Sequence, residues 1–216
     1  GFGYWANNLW QNSNDWDGNI LVVTRNHEKI SFLRKKGIEV CHWSDKDYVK
    51  GCLKKTGTIL VSVPPVGNTD PVIASFADFF SELPKRSKFI YLSSTGVYGD
   101  HQGNWVNESS SLKPKTQLGI YRLNAERAWK NLVEKFGVKL IIMRLAGIYG
   151  PGRSPIEKLQ KGEARVIRKP GLLFSRIHID DIVGLIKLCL ERDDIFGTYN
   201  ICDNKPASSE TVIKEA

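Results

Sequence analysis

Gly1-Phe2-Gly3-Tyr4-Trp5-Ala6 opens the chain, and the run Asn19-Ile20-Leu21-Val22-Val23-Thr24 follows it after one short helix length. The second stretch is continuously apolar and rich in β-branched residues, the pattern of a strand buried on both faces of a parallel sheet. Tyr4 to Gln11 suits a helix leaving a tight turn. In G-x-G-x-x-G/A the first glycine permits the turn and the second lets a pyrophosphate approach the backbone. The third small residue lets the helix pack on the sheet. Gly1, Gly3 and Ala6 fit these roles, and Phe2, Tyr4 and Trp5 complete the cradle, with the helix N-terminus offering amides to phosphate.

Outward from this turn, strands and helices alternate. Helix is expected over Glu28–Lys36, closed by Gly37, and strands over Ile38–Trp43 and Thr58–Val63, the latter stopped by Pro64-Pro65. Asp70-Pro71 is a cap followed by proline at the first helical position, and Val72, Ile73, Phe76, Phe79, Phe80 and Leu83 recur at helical spacing. Strand Phe89–Ser93, a long helix Gly119–Phe136 and strand Leu140–Arg144 continue the rhythm. Beyond Gly150 come a short helix (Pro155–Lys161), short strands (Arg165–Ile167, Phe174–His178), a helix (Asp180–Leu190) and a late strand (Thr198–Ile201). The pattern predicts an α/β fold, a doubly wound parallel Rossmann-type sheet with a small C-terminal substrate lobe. The expected division is residues 1–150 for the cofactor and 151–216 mainly for the lobe, with late elements returning to the sheet.

At 216 residues, 41% hydrophobic and 25% charged, the composition is that of an ordinary globular protein. No apolar run reaches the ~20 residues of a membrane span, and no signal-peptide pattern is present. The 4 cysteines, Cys41, Cys52, Cys189 and Cys202, lack metal-type spacing and read as reduced thiols of a cytoplasmic protein. The net charge of +8 comes from dispersed lysines and arginines, which suits attraction of an anionic ligand better than nucleic-acid binding. The glycine turn lacks a preceding strand, and Ser208–Ala216 reads as a helix start. These ends suggest part of a longer protein.

The end of the strand after a glycine turn selects the cofactor. Asp or Glu there binds the ribose hydroxyls of NAD, whereas a guanidinium pairs with the 2′-phosphate of NADP. Here Thr24 and Arg25 occupy the position, so NADP(H) is expected ahead of NAD(H), with Arg25 as a merely solvated strand-end residue the competing reading. His42 and Trp43 end the next strand, near the expected adenine or simply packed.

Leu92-Ser93-Ser94-Thr95-Gly96-Val97-Tyr98-Gly99 resembles the strand-end motif of extended short-chain dehydrogenases, the superfamily of sugar-nucleotide epimerases and dehydratases. Arg144 to Arg153 is similar to the segment around the nicotinamide, Arg176-Ile-His178-Ile-Asp180-Asp181 to a later signature, and Gly197-Thr-Tyr199-Asn200-Ile201 to the motif after it. The resemblance spans essentially the whole chain. It implies that a Ser or Thr hydrogen-bonds the reacting group, a Tyr moves the proton, and a Lys one turn later lowers the Tyr pKa. Ser94, with Thr95 beside it, takes the first role, although a strand-end hydroxyl can also satisfy a nearby amide. Val63, Pro64, Ser93 and Leu145 join the expected cofactor contacts.

The Tyr-Lys pair is replaced. Aligned on Gly119 and Glu126, Leu118 falls on the Tyr position and Arg122 on the Lys position. Leucine transfers no proton. Arg122 keeps a charge for the ribose or a phosphate, though arginine is no equivalent of lysine. Tyr121, one turn after Leu118, is the substitute phenol or else a packing residue. Glu108 is a further acid/base candidate, while His178, Asp180 and Asp181 read as a structural motif, so no metal is expected. The resemblance is to the atypical NAD-dependent epimerase/dehydratase-like branch. It implies an oxidoreductase, epimerase or dehydratase acting on a hydroxyl or carbonyl group, with a nucleotide sugar the candidate substrate. A non-catalytic NADP(H)-binding sensor is the alternative. No nucleic acid or membrane partner is expected, and a homodimer is the candidate assembly.

Overall fold

The structure is a computed structural model that describes residues 2–12, 19–163, 167 and 171–215. By internal contacts the chain forms two compact units, Gly1–Tyr91 with Asn124–Ile141, and Leu92–Leu123 with Ile142–Ala216. The fold is α/β with a parallel central sheet.

In the first unit, α1 (Tyr4–Gln11) leaves Gly3, which has extended backbone and serves as its N-cap. Strand β1 (Leu21–Thr24) pairs parallel with β2 (Glu39–His42), in register from Leu21 opposite Glu39 to Thr24 opposite His42. Helix α2 (His27–Lys35) connects them, capped by Asn26, whose side chain accepts from the Lys29 amide. Phe2, Ala6, Val22, Ile30, Leu33, Ile38 and Val40 form one buried cluster, so the small residue of the glycine turn sits in the core.

Helix α3 (Lys46–Leu53) was not expected from the sequence. Asp45 caps it by accepting from the Tyr48 amide, while Gly51 near its end weakens the helical signal. Strand β3 (Thr58–Val61) is shorter than the apolar run, and β3 pairs parallel with β4 (Lys88–Ser94). Asp70 caps α4 (Pro71–Phe76) through both the Val72 and Ile73 amides. The helical spacing beyond Phe76 does not continue as α-helix: Ala77–Glu82 winds as a 3₁₀ segment. One turn back, Lys46 Nζ donates to the Ser75 carbonyl at 3.0 Å and sits 4.0 Å over the Phe76 ring. That carbonyl is the acceptor the Phe79 amide would take in an uninterrupted helix.

Helix α5 (Gln117–Phe136) and strand β5 (Lys139–Leu145) bring Trp129 into the first unit. Trp129 is fully buried, within 4.9 Å of the Phe89 ring and 6.0 Å of Phe80, and its Nε1 donates to Asp70 Oδ2 at 3.0 Å. The indole N–H, which burial would otherwise leave costly, thus finds its partner on the α4 cap.

The central sheet runs in the order β3-β4-β5-β8, with β8 spanning Gly197–Ile201. A short parallel pair, β6 (Gly147–Tyr149) with β7 (Arg176–His178), lies in the second unit. There too are α6 (Pro155–Gln160), held by a Ser154/Glu157 capping box, α7 (Ile179–Glu191) and α8 (Ser209–Glu215). The strand expected over residues 165–167 falls, apart from Ile167, outside the described residues. No described helix is long and apolar enough to cross a membrane.

Candidate functional site

The glycine turn is tied down by a residue that sequence reasoning passed over. Lys29 of α2 donates from Nζ to the Phe2 carbonyl at 2.6 Å, and the Phe2 side chain is buried. Gly1 lies outside the described residues. Gly3 is exposed, and a Cβ built on it would meet nothing within 4 Å. Its carbonyl accepts from the Asn7 amide at 3.0 Å, while Tyr4 and Trp5 sit half-buried on the first turn of α1. A turn open above and packed below at Ala6 is the arrangement a phosphate cradle needs.

At the end of β1, Thr24 is buried and its Oγ1 accepts from the Asn26 amide at 3.3 Å. Arg25 is exposed, with its guanidinium carbon 5.8 Å from the Trp43 ring centroid. Beside it His42 and His27 stack, ring centroids 4.4 Å apart and planes 12° from parallel. Val63 is half-buried and Pro64 exposed in the coil after β3. Near this edge the Cys41 thiol is pushed up to about 11, chiefly by burial. Tyr48 is raised to about 12, first because its hydroxyl donates to Glu39.

In the second unit, β4 ends at Ser94, whose Oγ accepts from the Gly96 amide at 3.1 Å. The hydroxyl therefore does meet a neighbouring amide, and as an acceptor it keeps its proton to donate. Thr95 Oγ1 lies 3.5 Å from the Leu145 carbonyl, and the side chains of Ser93 and Leu145 are buried. The N-terminal turn of α5 comes so close to this corner that a Cβ on Gly119 would stand 2.8 Å from the Gly96 carbonyl oxygen. Gly99, at φ +74, is equally constrained, since a Cβ there would meet Lys113 O at 1.9 Å.

Leu118 is 79% exposed. Tyr121 and Arg122 are half-buried, and Arg122 Nη1 donates to the Leu92 carbonyl at 3.1 Å. Behind them runs a network the sequence hid. Arg144, 1% exposed, donates to Tyr98 Oη at 2.8 Å and lies over the Tyr98 ring at 4.9 Å. Tyr98 Oη donates to Asn200 Oδ1 at 2.7 Å, and the Asn200 amide donates to Glu108 Oε1 at 2.7 Å. Glu108 is thereby a strut between the loop before α5 and β8. At α7, His178 Nδ1 accepts from the Asp180 amide, and Asp180 and Asp181 occupy the first turn, where the helix dipole favours them. Among the described residues no group of three or more His, Cys, Asp or Glu side chains could hold a metal ion.

A parallel α/β sheet with these strand-end corners defines a Rossmann-type domain. Residues 75–202 match the NAD dependent epimerase/dehydratase family, and the chain belongs to that family. The Escherichia coli (strain K12) protein YeeZ is 36% identical over 115 residues, 53% of this chain and 39% of that protein. The uncharacterized UDP-glucose epimerase YtcB of Bacillus subtilis (strain 168) is 34% identical over 136 residues, 58% of this chain and 42% of that protein. The chain thus spans about two fifths of the length of the curated relatives it matches. A functionally unknown conserved protein from Silicibacter pomeroyi DSS superposes with a TM-score of 0.88 at 36% identity, over 99% of this chain and 74% of that one. The UDP-glucuronic acid 4-epimerase from Bacillus cereus, solved in complex with NAD, shares the fold with a TM-score of 0.75 at 18% identity, over 96% of this chain and 78% of that one.

Proposed function

We propose that the chain binds NADP(H) and, with it, acts on a hydroxyl or carbonyl group of a small substrate, a nucleotide sugar being the candidate. The observation that carries the cofactor reading is Arg25, an exposed guanidinium seated by Trp43 where an NAD site would place a carboxylate. The open backbone at Gly3 fits a dinucleotide, with Gly1, Phe2, Tyr4 and Trp5 completing the cradle. Thr24 and Arg25 would take the phosphorylated ribose, and Val63, Pro64, Ser93, Arg122 and Leu145 the remainder. When bound, the nicotinamide supplies hydride transfer. Ser94 and Thr95 then offer hydroxyls to the reacting oxygen, and Tyr121 is the phenol for the proton that Leu118 cannot move. On this reading residues 1–150 mainly serve the cofactor and 151–216 the substrate, in a cytoplasmic homodimer. The names of YtcB and of the Bacillus cereus epimerase support the substrate class.

A second reading, a non-catalytic NADP(H)-binding sensor, is favoured by the exposed Leu118 at the Tyr position. Fluorescence titration of NADPH against NADH tests the cofactor. NADPH is expected to bind more tightly, and Arg25→Ala to weaken it about 10- to 100-fold, the weight of a charge-assisted contact, with NADH little changed. Tighter NADH binding would refute the role of Arg25. Screening the NADP-loaded protein against alcohols, aldehydes and nucleotide sugars separates the readings. Turnover that Tyr121→Phe abolishes supports the enzyme, full turnover by that variant removes Tyr121 from the chemistry, and tight binding without turnover supports the sensor.

A further inference from the structure

We propose that His27 is a second ligand for the 2′-phosphate assigned above to Arg25, and that it acts as the imidazolium, so that binding NADP(H) takes up one proton. The inference rests on the NADP(H) reading. Its starting point is the stacked pair of imidazoles beside Arg25, with centroids 4.4 Å apart and planes 12° from parallel.

The two rings are not equivalent. His42 Nε2 is 3.3 Å from the Arg25 carbonyl, which can only accept, so Nε2 carries the hydrogen. His42 Nδ1 accepts from the Ser44 amide at 3.3 Å and lies 2.7 Å from Ser44 Oγ. His42 is therefore a neutral plate with both nitrogens engaged. His27, exposed and first in α2, lies stacked on it two residues from Arg25. A neutral aromatic plate favours one imidazolium against its face, whereas a second proton would place like charges 4.4 Å apart. The pair has room for only one added proton, and His27 is its exposed ring.

The surroundings decide when that proton arrives. β1 carries no titratable side chain, and on β2 the Glu39 carboxylate accepts from Tyr48 Oη while the Cys41 thiol is buried. Asp45 caps α3, Lys46 Nζ is on the Ser75 carbonyl, and Lys29 Nζ is on the Phe2 carbonyl. Glu28 is the exposed acid of the first turn of α2. Arg25 and the first turn of α2 present positive charge to an incoming anion on the side where His27 lies. A phosphate beside His27 favours the imidazolium, so proton and phosphate bind together.

Calorimetry on the full chain reads this directly, by titrating NADPH and NADH in two buffers of different ionisation enthalpy near neutral pH. A phosphate held by arginine alone is favoured as the dianion and releases protons, so the sign discriminates. The expected result is net proton uptake with NADPH and none with NADH. NADPH affinity should fall as pH rises through the imidazole range near 6.5, by at most about tenfold per pH unit. His27→Gln, an exposed change, should abolish the uptake and weaken NADPH several-fold at about pH 6 but little at about pH 8.5. Proton release by the wild type, or the same uptake by His27→Gln, overturns the proposal while leaving the NADP(H) reading intact. If NADPH is not preferred over NADH, or Arg25→Ala leaves NADPH binding unchanged, that reading fails and takes this one with it.

Discussion

Replacing Gly119 with alanine should destabilise the protein, whereas the same change at Gly184 should stabilise it. Both glycines lie in helices of the second unit. At Gly184 in α7 a Cβ would meet nothing within 4 Å, and the residue is exposed. Alanine there gains the ordinary helix preference, about 1 kcal/mol. At Gly119 the same Cβ would stand 2.8 Å from Gly96 O, 3.0 Å from Pro114 Cβ and 3.1 Å from Thr116 Oγ1. The Gly96 carbonyl belongs to the corner that carries Ser94 and cannot swing aside as a side chain tip would. Overpacking of this kind costs about 1–3 kcal/mol, which exceeds the propensity gain. Gly119→Ala is therefore expected to lose about 1 kcal/mol net, leaving the two variants about 2 kcal/mol apart. Urea denaturation followed by circular dichroism measures both, with an unchanged slope marking a true stability effect. If Gly119→Ala proves as stabilising as Gly184→Ala, the close approach of α5 to the Ser94 corner is wrong.

Asp70→Ala removes the α4 cap and the acceptor of the buried Trp129 N–H, and should cost about 2–4 kcal/mol by denaturant unfolding. Tyr98→Phe strips the hydroxyl between Arg144 and Asn200, leaving buried groups short of partners, and should lower stability by about 1–3 kcal/mol in the same measurement. The Tyr48 phenol, held near 12 by its hydrogen bond to Glu39, should titrate late by ultraviolet absorbance, and Glu39→Gln should bring it back toward 10. Because the folded state keeps this proton longer than the unfolded chain, its contribution is complete below pH 10 and is lost as pH rises from there through about 12.

What the sequence displayed and what it concealed divide along range of interaction. The α1 bounds, Tyr4 to Gln11, are those the glycine turn and its amphipathic run imply, and the Asp70-Pro71 start of α4 is written in its own residues. Strand ends were overextended, as at Val63, because apolar character outlasts the pairing with β4. Ala77–Glu82 winds as a 3₁₀ segment although Phe76, Phe79, Phe80 and Leu83 keep a helical spacing, so spacing alone carried the reading too far. The three-residue β6 exists only through its partner β7 and has no local signal. At the candidate site, Arg25 and Ser94 were visible as strand-end residues. The Lys29 clasp on Phe2, the stacking of His27 on His42 and the Arg144–Tyr98–Asn200 network were not, because each joins residues that only the folded chain makes neighbours.

The interleaving of the two compact units has a consequence for biosynthesis. The first unit is assembled from Gly1–Tyr91 and Asn124–Ile141, so it stays incomplete until residue 141 has left the ribosome, well after its glycine turn has been made. Helix α5 is itself divided, Gln117–Leu123 falling in one unit and Asn124–Phe136 in the other. Neither unit can therefore be produced as a single uninterrupted fragment. The Phe80, Phe89 and Tyr91 rings that pack on Trp129 stay uncovered until it arrives. Chains halted before Trp129 therefore expose apolar surface that the finished unit buries, and such surface is aggregation-prone.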